Sequence, residues 1–324
     1  MEDQQIGQTS RRRALQLGGL AGAMAAAGPL LASGSRASAA TLAGARGISP
    51  DWSHEIAEIE KIMRAKGTVS NGVLNIQVNR YDIGIAHKDG VPIKAAFELN
   101  GNFCFQSLGN GNVMLNGDFG FKPEELNPAV HALISHGLVW QAMHQHLFNL
   151  NPMLFFLHFR GRGSARSVAE GCKAILDATS TPLPQAPPKN PTTPLDTKRL
   201  AKIIGAPATV GGAGVVGFEL AQREPVILDG VKINPYLNIY TPVDFQPLGG
   251  DRAVGVPDFG MLAGQVDDVA RTMQSQGWQL DCLYNQETDE HPQLYFSHQF
   301  KVGNAYQLAM EIRKGLEKTS VVIH

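Results

Sequence analysis

The sequence predicts an α+β protein of two tandem homologous modules, each an antiparallel sheet of β-hairpins with a split βαββα unit, packed with pseudo-twofold symmetry. Three observations carry this. First, the chain is written twice. Displacing residues 61–179 by 140 positions, without a gap, sets Asp89-Gly90-Val91 on Asp229-Gly230-Val231, Phe105-Gln106 on Phe245-Gln246, and Asp118-Phe119-Gly120 on Asp258-Phe259-Gly260. Gly137, Pro152 and His158 fall on Gly277, Pro292 and His298. A period this long marks a duplicated domain, not a solenoid. Second, each copy begins with short alternating runs and continues as strand–helix–strand–strand–helix. Third, a sheet covered by helices on one face leaves Leu154, Phe156, Leu294 and Phe296 needing cover, so the copies are expected to pack as a pair through an apolar interface.

Residues 1–40 read as a twin-arginine signal peptide. Ser10-Arg11-Arg12-Arg13-Ala14-Leu15-Gln16 resembles the twin-arginine consensus, with Ala and Gln where Phe and Lys are commoner. A Gly/Ala-rich apolar run follows, and Ala37-Ser38-Ala39 offers a small-residue cleavage site. The expected location is periplasmic or secreted, with no transmembrane segment after cleavage. The route carries folded proteins, often loaded with a cofactor. The mature chain keeps 24 basic and 27 acidic residues, a balance that gives no reason to expect nucleic acid or an acidic membrane surface as partner. Cys104, Cys172 and Cys282 share no framework between the copies and read as buried free thiols.

The first repeat spans 41–179. Ile56, Ile59, Ile62 and Met63 predict a helix over Trp52 to Lys66, with Ser53 as N-cap and Gly67 past its end. Val73 to Val78 and Phe103 to Gln106 read as strands, punctuated by Asn-Gly and Asp-Gly turns at Asn71, Asp89, Asn100 and Asn110. Val113 to Phe119 reads as a strand and Glu124 to His136 as a helix ending before Gly137. Val139 to His146 and Met153 to Phe159 read as strands. Ser164 caps a helix to Thr179 whose apolar face carries Val168, Cys172, Ile175 and Leu176. Prolines at 182, 184, 187, 188, 191 and 194 make 180–195 an extended linker. The second repeat spans 196–324, with Ser320 to Ile323 as an added edge strand.

The copies act as each other's control, and one segment stands out: His144-Gln145-His146 reads Tyr284-Asn285-Gln286 in the second copy. Alternate residues on a strand face one way, so His144 and His146 lie side by side. In a hairpin centred near Asn151, His158 falls opposite His144. Three imidazoles over one sheet face would suit a divalent ion, zinc or copper. A structural cluster hydrogen-bonded within the sheet, or metal-free acid–base work, are the alternatives. Glu98, Asp118, Asp289 and Glu290 are the acidic candidates for an additional ligand or acid/base. Asp118 and Asp258, being shared, also fit a helix cap or a turn. Gln106 and Gln246 read as buried amides holding adjacent strands. The Gly109-Asn110-Gly111 and Gly249-Gly250 loops read as hairpin turns, lacking a P-loop Lys.

Asp118-Phe119, Glu125-Leu126-Asn127-Pro128, Gly137, His144-Gln145-His146, Pro152 and Leu154-Phe155-Phe156-Leu157-His158-Phe159 resemble the family known as domain of unknown function 1259, also called the LppY/LpqO family. The resemblance covers essentially the whole mature chain. It implies an exported or envelope-associated protein of duplicated α+β fold, and no established reaction. The family's Glu before the Pro-containing turn falls at Leu150 here. The second copy keeps it as Glu290 but lacks both histidines of the His-x-His pair, which raises a composite site shared by the copies. Two functions are carried forward. One is metal binding through His144, His146 and His158, with metal-dependent catalysis on a small molecule. The other is a non-catalytic envelope module that binds a ligand or an envelope component and uses its histidines structurally.

Overall fold

The computed structural model describes residues 51–324; the expected signal peptide, 1–40, and residues 41–50 lie outside the described residues. In the first repeat α1 (Ser53–Met63) precedes β1 (Thr68–Ser70), β2 (Val73–Asn79), β3 (Ile85–Lys88), β4 (Val91–Lys94), α2 (Ala95–Glu98), β5 (Asn100–Gly109) and β6 (Asn112–Phe121). Then come α3 (Leu126–Ser135), β7 (Val139–His144), β8 (Leu150–Asn151), β9 (Phe155–Ser164) and α4 (Ala165–Asp177). The second repeat runs α5 (Thr197–Ile204), β10 (Thr209–Val210), β11 (Val216–Leu220), β12 (Ile227–Leu228), β13 (Val231–Lys232), β14 (Thr241–Gly249) and β15 (Arg252–Leu262). It closes with α6 (Val266–Gln274), β16 (Gln279–Leu280), β17 (Glu290–His291), β18 (Leu294–Asn304) and α7 (Ala305–Leu316).

Each repeat builds a six-stranded antiparallel sheet, ordered β1-β2-β5-β6-β9-β7 and β10-β11-β14-β15-β18-β16. Each also builds a small three-stranded flap, β4-β3-β8 and β13-β12-β17. The period-two alternation of the strands decides what each face buries. On β5, Phe103 and Phe105 meet the helices; on β9, Leu157 and Phe159 do the same, against Ile59, Leu133, Val168 and Ile175. The second repeat repeats this with Phe218, Phe245 and Phe259 against Leu200, Val269, Leu308 and Ile312.

The opposite sheet faces are covered reciprocally. Ala86, Ile93, Phe97 and Leu99 of the first flap region, with Leu154 and Phe156, pack on Val254, Val256 and Phe300 of the second sheet. Val226, Leu228, Leu237 and Ile239 of the second flap region, with Leu294 and Phe296, pack on Val73, Cys104 and Met114 of the first. A fully buried Phe is worth about 1.5–3 kcal/mol relative to leaving it exposed, so this exchange supplies much of what joins the repeats. The shared glutamines serve the same junction. Gln106 Oε1 accepts from Asn234 N at 2.7 Å, and Gln246 Oε1 accepts from Lys94 N at 2.8 Å. They hold the opposite repeat's flap, where the sequence suggested adjacent strands.

Several local expectations are revised. Asp51, not Ser53, supplies the oxygen at the start of α1, accepting from Ser53 N at 3.0 Å. That helix ends on Arg64 in the left-handed region, while Gly67 is needed because a Cβ there would lie 2.5 Å from Asn75 O. Asn100-Gly101 is not a turn but the start of β5, and Gly101 lets Asp118 and Phe119 backbone approach closely. The proline-rich segment is not a free spacer throughout: Gln185 bonds both the N and the O of Asn79, at 2.9 and 2.8 Å. Ser320 to Ile323 forms no named strand and makes only an isolated bridge, Val321 to Gln222. Ser164 caps α4 as expected, accepting from Ser167 N. All three cysteines are free. Among the described residues, no helix is long and apolar enough to cross a membrane.

Candidate metal centre

The site forms where the two sheets face one another. β9 and β18 run through it at matched positions, and alternation turns His158 and His298 away from the helices into the junction. Asp118 and Asp258 are their cross-strand partners on β6 and β15. Neither aspartate caps a helix or fixes a turn; both sit mid-strand, and Asp118 accepts from Asn102 N at 3.2 Å and Asn238 Nδ2 at 3.3 Å.

His144 ends β7. β7 pairs with β9 so that Ala142 faces His158 and His144 faces Phe156, not His158 as simple hairpin counting gives; a bulge between Trp140 and Ala142 adds one residue further from the turn. His146 lies beyond the strand end, yet its ring remains 5.1 Å from that of His144. Ligand atoms of His144, His146 and His298 all lie within 4.8 Å of one another. The third histidine of this convergent set therefore comes from the second repeat. His158 stands beside it, its Nε2 2.8 Å from His144 Nε2.

Hydrogen bonds assign the nitrogens. His146 Nδ1 lies 3.0 Å from Glu98 Oε2, while its Nε2 is buried without a partner. A carboxylate on one imidazole nitrogen with the other left free is the arrangement that orients a metal-ligating histidine. His144 Nδ1 faces Gln145 O at 3.2 Å and so carries the proton, which leaves Nε2 as acceptor for the His158 Nε2–H. His298 Nδ1 faces Cys282 Sγ at 3.3 Å and Asp258 Oδ1 at 3.5 Å, leaving Nε2 for an ion. Two aromatic plates fix the rings: Phe156 stacks on His146 with centroids 3.3 Å apart, and Tyr284 on His144 at 3.5 Å. Tyr284 OH donates to Asp258 Oδ2 at 3.0 Å.

Burial dominates the electrostatics. It lowers His144 to about 3 and holds His146, His158 and His298 well below the usual imidazole range, with neighbouring histidines adding to the effect on those three. Burial likewise raises Asp118 to about 7, Asp258 to about 8 and Glu98 well above its ordinary value. Neutral imidazole is the form that binds metal, and a cation would draw protons off the carboxyls around it.

The remaining acidic candidates lie elsewhere. Asp289 is 63% exposed at its side chain and pairs at 3.9 Å with His291. Glu290 Oε1 accepts from Gln293 Nε2 and Leu294 N at 2.9 and 2.8 Å, within the turn between β17 and β18. The two repeats do share one cluster, but His298 and not Glu290 is the second repeat's contribution. His298 had a signal in the sequence, its gapless match to His158. Missing was the sheet-on-sheet packing that carries it across to His144 and His146.

The chain matches the family described as Domain of Unknown Function (DUF1259) over residues 57–178 and again over 198–318. It belongs to that family, in two tandem copies. No curated protein gives a significant match. Among solved structures, EtuB from Clostridium kluyveri is 11% identical with a TM-score of 0.20, covering 78% of this chain and 90% of that one. A trimeric bacterial microcompartment shell protein, PduB, is 10% identical with a TM-score of 0.20, covering 79% and 95%. Likeness at that level decides nothing about this chain.

Proposed function

We propose that this is an exported protein that binds one divalent ion, zinc or copper, in a centre shared by its repeats, with His144, His146 and His298 as ligands. One observation carries the reading: the buried, unpartnered Nε2 of His146, backed by Glu98 and within 4.8 Å of ligand atoms from His144 and His298. An all-imidazole set suits zinc and copper, with bonds of about 2.0–2.1 Å for zinc. The three nitrogens, within 4.8 Å of one another, would draw closer to reach that geometry. His158, hydrogen-bonded to His144, is the nearest fourth ligand, and displacing that bond frees His144 Nε2. Such an ion would supply a Lewis acid for metal-dependent chemistry. Export is supported by the Arg-Arg-Arg segment at 11–13 and the Ala37-Ser38-Ala39 site.

Elemental analysis of protein purified without a His tag tests this. About one zinc or copper per chain is expected, and His144→Ala with His146→Ala should abolish it, as should His298→Ala. A protein that takes up neither metal would instead support the second reading, a non-catalytic envelope module. The His144–His158 hydrogen bond and the two aromatic plates favour that role, because they satisfy imidazoles structurally.

A further inference from the structure

The segment Gln145 to Asn149 carries His146 out of β7 and into the flap. Its Phe148 O accepts from Lys88 Nζ at 2.7 Å. Lys88 ends β3, its side chain is 0% exposed, and Nζ lies 4.8 Å over the Phe300 ring of the second sheet. The same Nζ is 3.0 Å from Asp281 Oδ2, also 0% exposed. The Asp281 oxygens accept no hydrogen bond of good geometry, so this ammonium is what compensates their charge. Asp281 N in turn donates to His298 O at 2.9 Å. The chain continues to Cys282, whose Sγ faces the His298 ring. One ion pair thus joins the segment that bears His146 in one repeat to the strand that bears His298 in the other.

The second arm supplies the control. Position for position, Lys88 becomes Leu228, Asp281 corresponds to Gln141, and Phe300 corresponds to Arg160. That arm also tethers its segment, with Arg160 donating to Thr288 O at 2.6 Å. It has no buried ion pair at these positions, and it holds Tyr284 and Gln286 where the first arm holds histidines. The charged link occurs in the arm where two imidazoles from different repeats must meet.

We propose that Lys88 and Asp281 are positioning residues of the composite metal centre. The proposal rests on the metal-binding reading above. Metal–nitrogen bonds tolerate errors of a few tenths of an ångström, and a site whose supporting contacts are lost becomes too loose to bind well. Single truncation would leave an uncompensated buried charge, whereas apolar replacement of both members of such a pair is often neutral or stabilising. Lys88→Met with Asp281→Leu therefore separates positioning from folding.

The test uses the full mature chain. Zinc affinity is measured by competition with a chelating dye, alongside thermal unfolding of the metal-free protein and the count of nitrogen ligands by X-ray absorption. The expected result is a metal-free Tm close to wild type, a zinc affinity weakened about 10–100-fold, and a reduced nitrogen count. Unchanged affinity at unchanged Tm overturns the proposal. Should the double variant fail to fold, Lys88→Gln with Asp281→Asn, which removes both charges and keeps polar side chains of similar size, decides by the same affinity measurement. A wild-type chain that takes up no zinc or copper fails the metal reading itself, a different outcome that is seen before any variant is made.

Discussion

The two repeats keep the same wiring around the junction and change the chemistry attached to it. In the first, His146 reaches back to Glu98; in the second, Gln286 at the matched position reaches back to Asn238, through its backbone oxygen. Gln106 and Gln246 grip matched backbone amides of the opposite flap. Ser164 and Asn304 cap matched helices. What differs is the set His144, His146 and Glu98 against Tyr284, Gln286 and Asn238. The difference teaches that packing and hydrogen-bond topology define the scaffold, while one arm supplies ligands and the other a tyrosine plate and a single histidine. A duplicated chain can thus divide one site into unlike halves without changing its fold.

Phe156 and Phe296 give the hardest test of that equivalence. Both are buried at matched positions of the reciprocal interface. Substitution of either by Ala should cost about 3–5 kcal/mol in denaturant unfolding. Only Phe156 stacks on His146, so only Phe156→Ala should also weaken zinc binding. If both variants weaken zinc equally, the arms are not functionally distinct and the comparison fails.

Much of this was legible in the sequence, because a gapless offset and period-two alternation are local signals. The duplication, the hairpins, α4 with its Ser164 cap and the need to cover Phe156 and Phe296 all came from such patterns. The centre was half legible. His144 and His146 stand out by contrast with Tyr284 and Gln286. The segment between β7 and β9 enters the flap instead of closing a simple hairpin, so His144 pairs with Phe156 and not His158, which no count along the chain predicts. Glu98 is one acidic candidate among four until the flap places it on His146, 48 residues away. His298 matches His158 without a gap, yet its own strand neighbours are not histidines, and its partners belong to the other repeat.

The buried carboxyls at matched positions 118 and 258 give a pH test. Asp118 and Asp258 hold their protons up to about 7 and about 8 in the folded chain, against 3.8 ordinarily. The folded state therefore binds more protons than the unfolded state between those limits, and stability falls as pH rises through the interval. The buried histidines act oppositely, since the unfolded chain takes up protons around and below about 6.5, and their effect fades only about one pH unit above that value. From about pH 7.5 to 8.5, where the histidine effect has faded, the metal-free protein should lose stability, by about 1.4 kcal/mol per pH unit for each proton so held. Urea midpoints across that range measure it. Saturating zinc should flatten the profile, because an ion lets the carboxyls ionise without penalty. A midpoint that rises with pH in the metal-free protein would mean that the carboxyls are already ionised.

Glu98→Gln sharpens the contrast between arms further. It keeps the shape and makes the partner of His146 a neutral amide, just as the second arm offers Gln286 a neutral backbone oxygen. Zinc affinity should fall about 10–100-fold with little change in unfolding. A competition titration of the variant against a chelating dye measures it, and an unchanged affinity would show that Glu98 does not orient His146.

The smallest expected effect lies at the helix caps, where the repeats ought to be most alike. Ser164 Oγ accepts from one amide, Ser167 N, at 3.2 Å. Asn304 Oδ1 accepts from two, Tyr306 N at 3.1 Å and Gln307 N at 3.2 Å. Loss of a cap leaves first-turn amides without a partner and costs about 0.5–2 kcal/mol. Ser164→Ala should fall toward the lower end of that range and Asn304→Ala toward the upper, because the second strands two donors in place of one. Chemical denaturation of each single variant measures the difference, and the double variant should show additive costs, since caps in separate repeats share no partner. Costs in the reverse order would show that the matched helix starts are not stabilised by these bonds. Strong non-additivity would show instead that the repeats unfold through a coupling at their junction that the caps can feel.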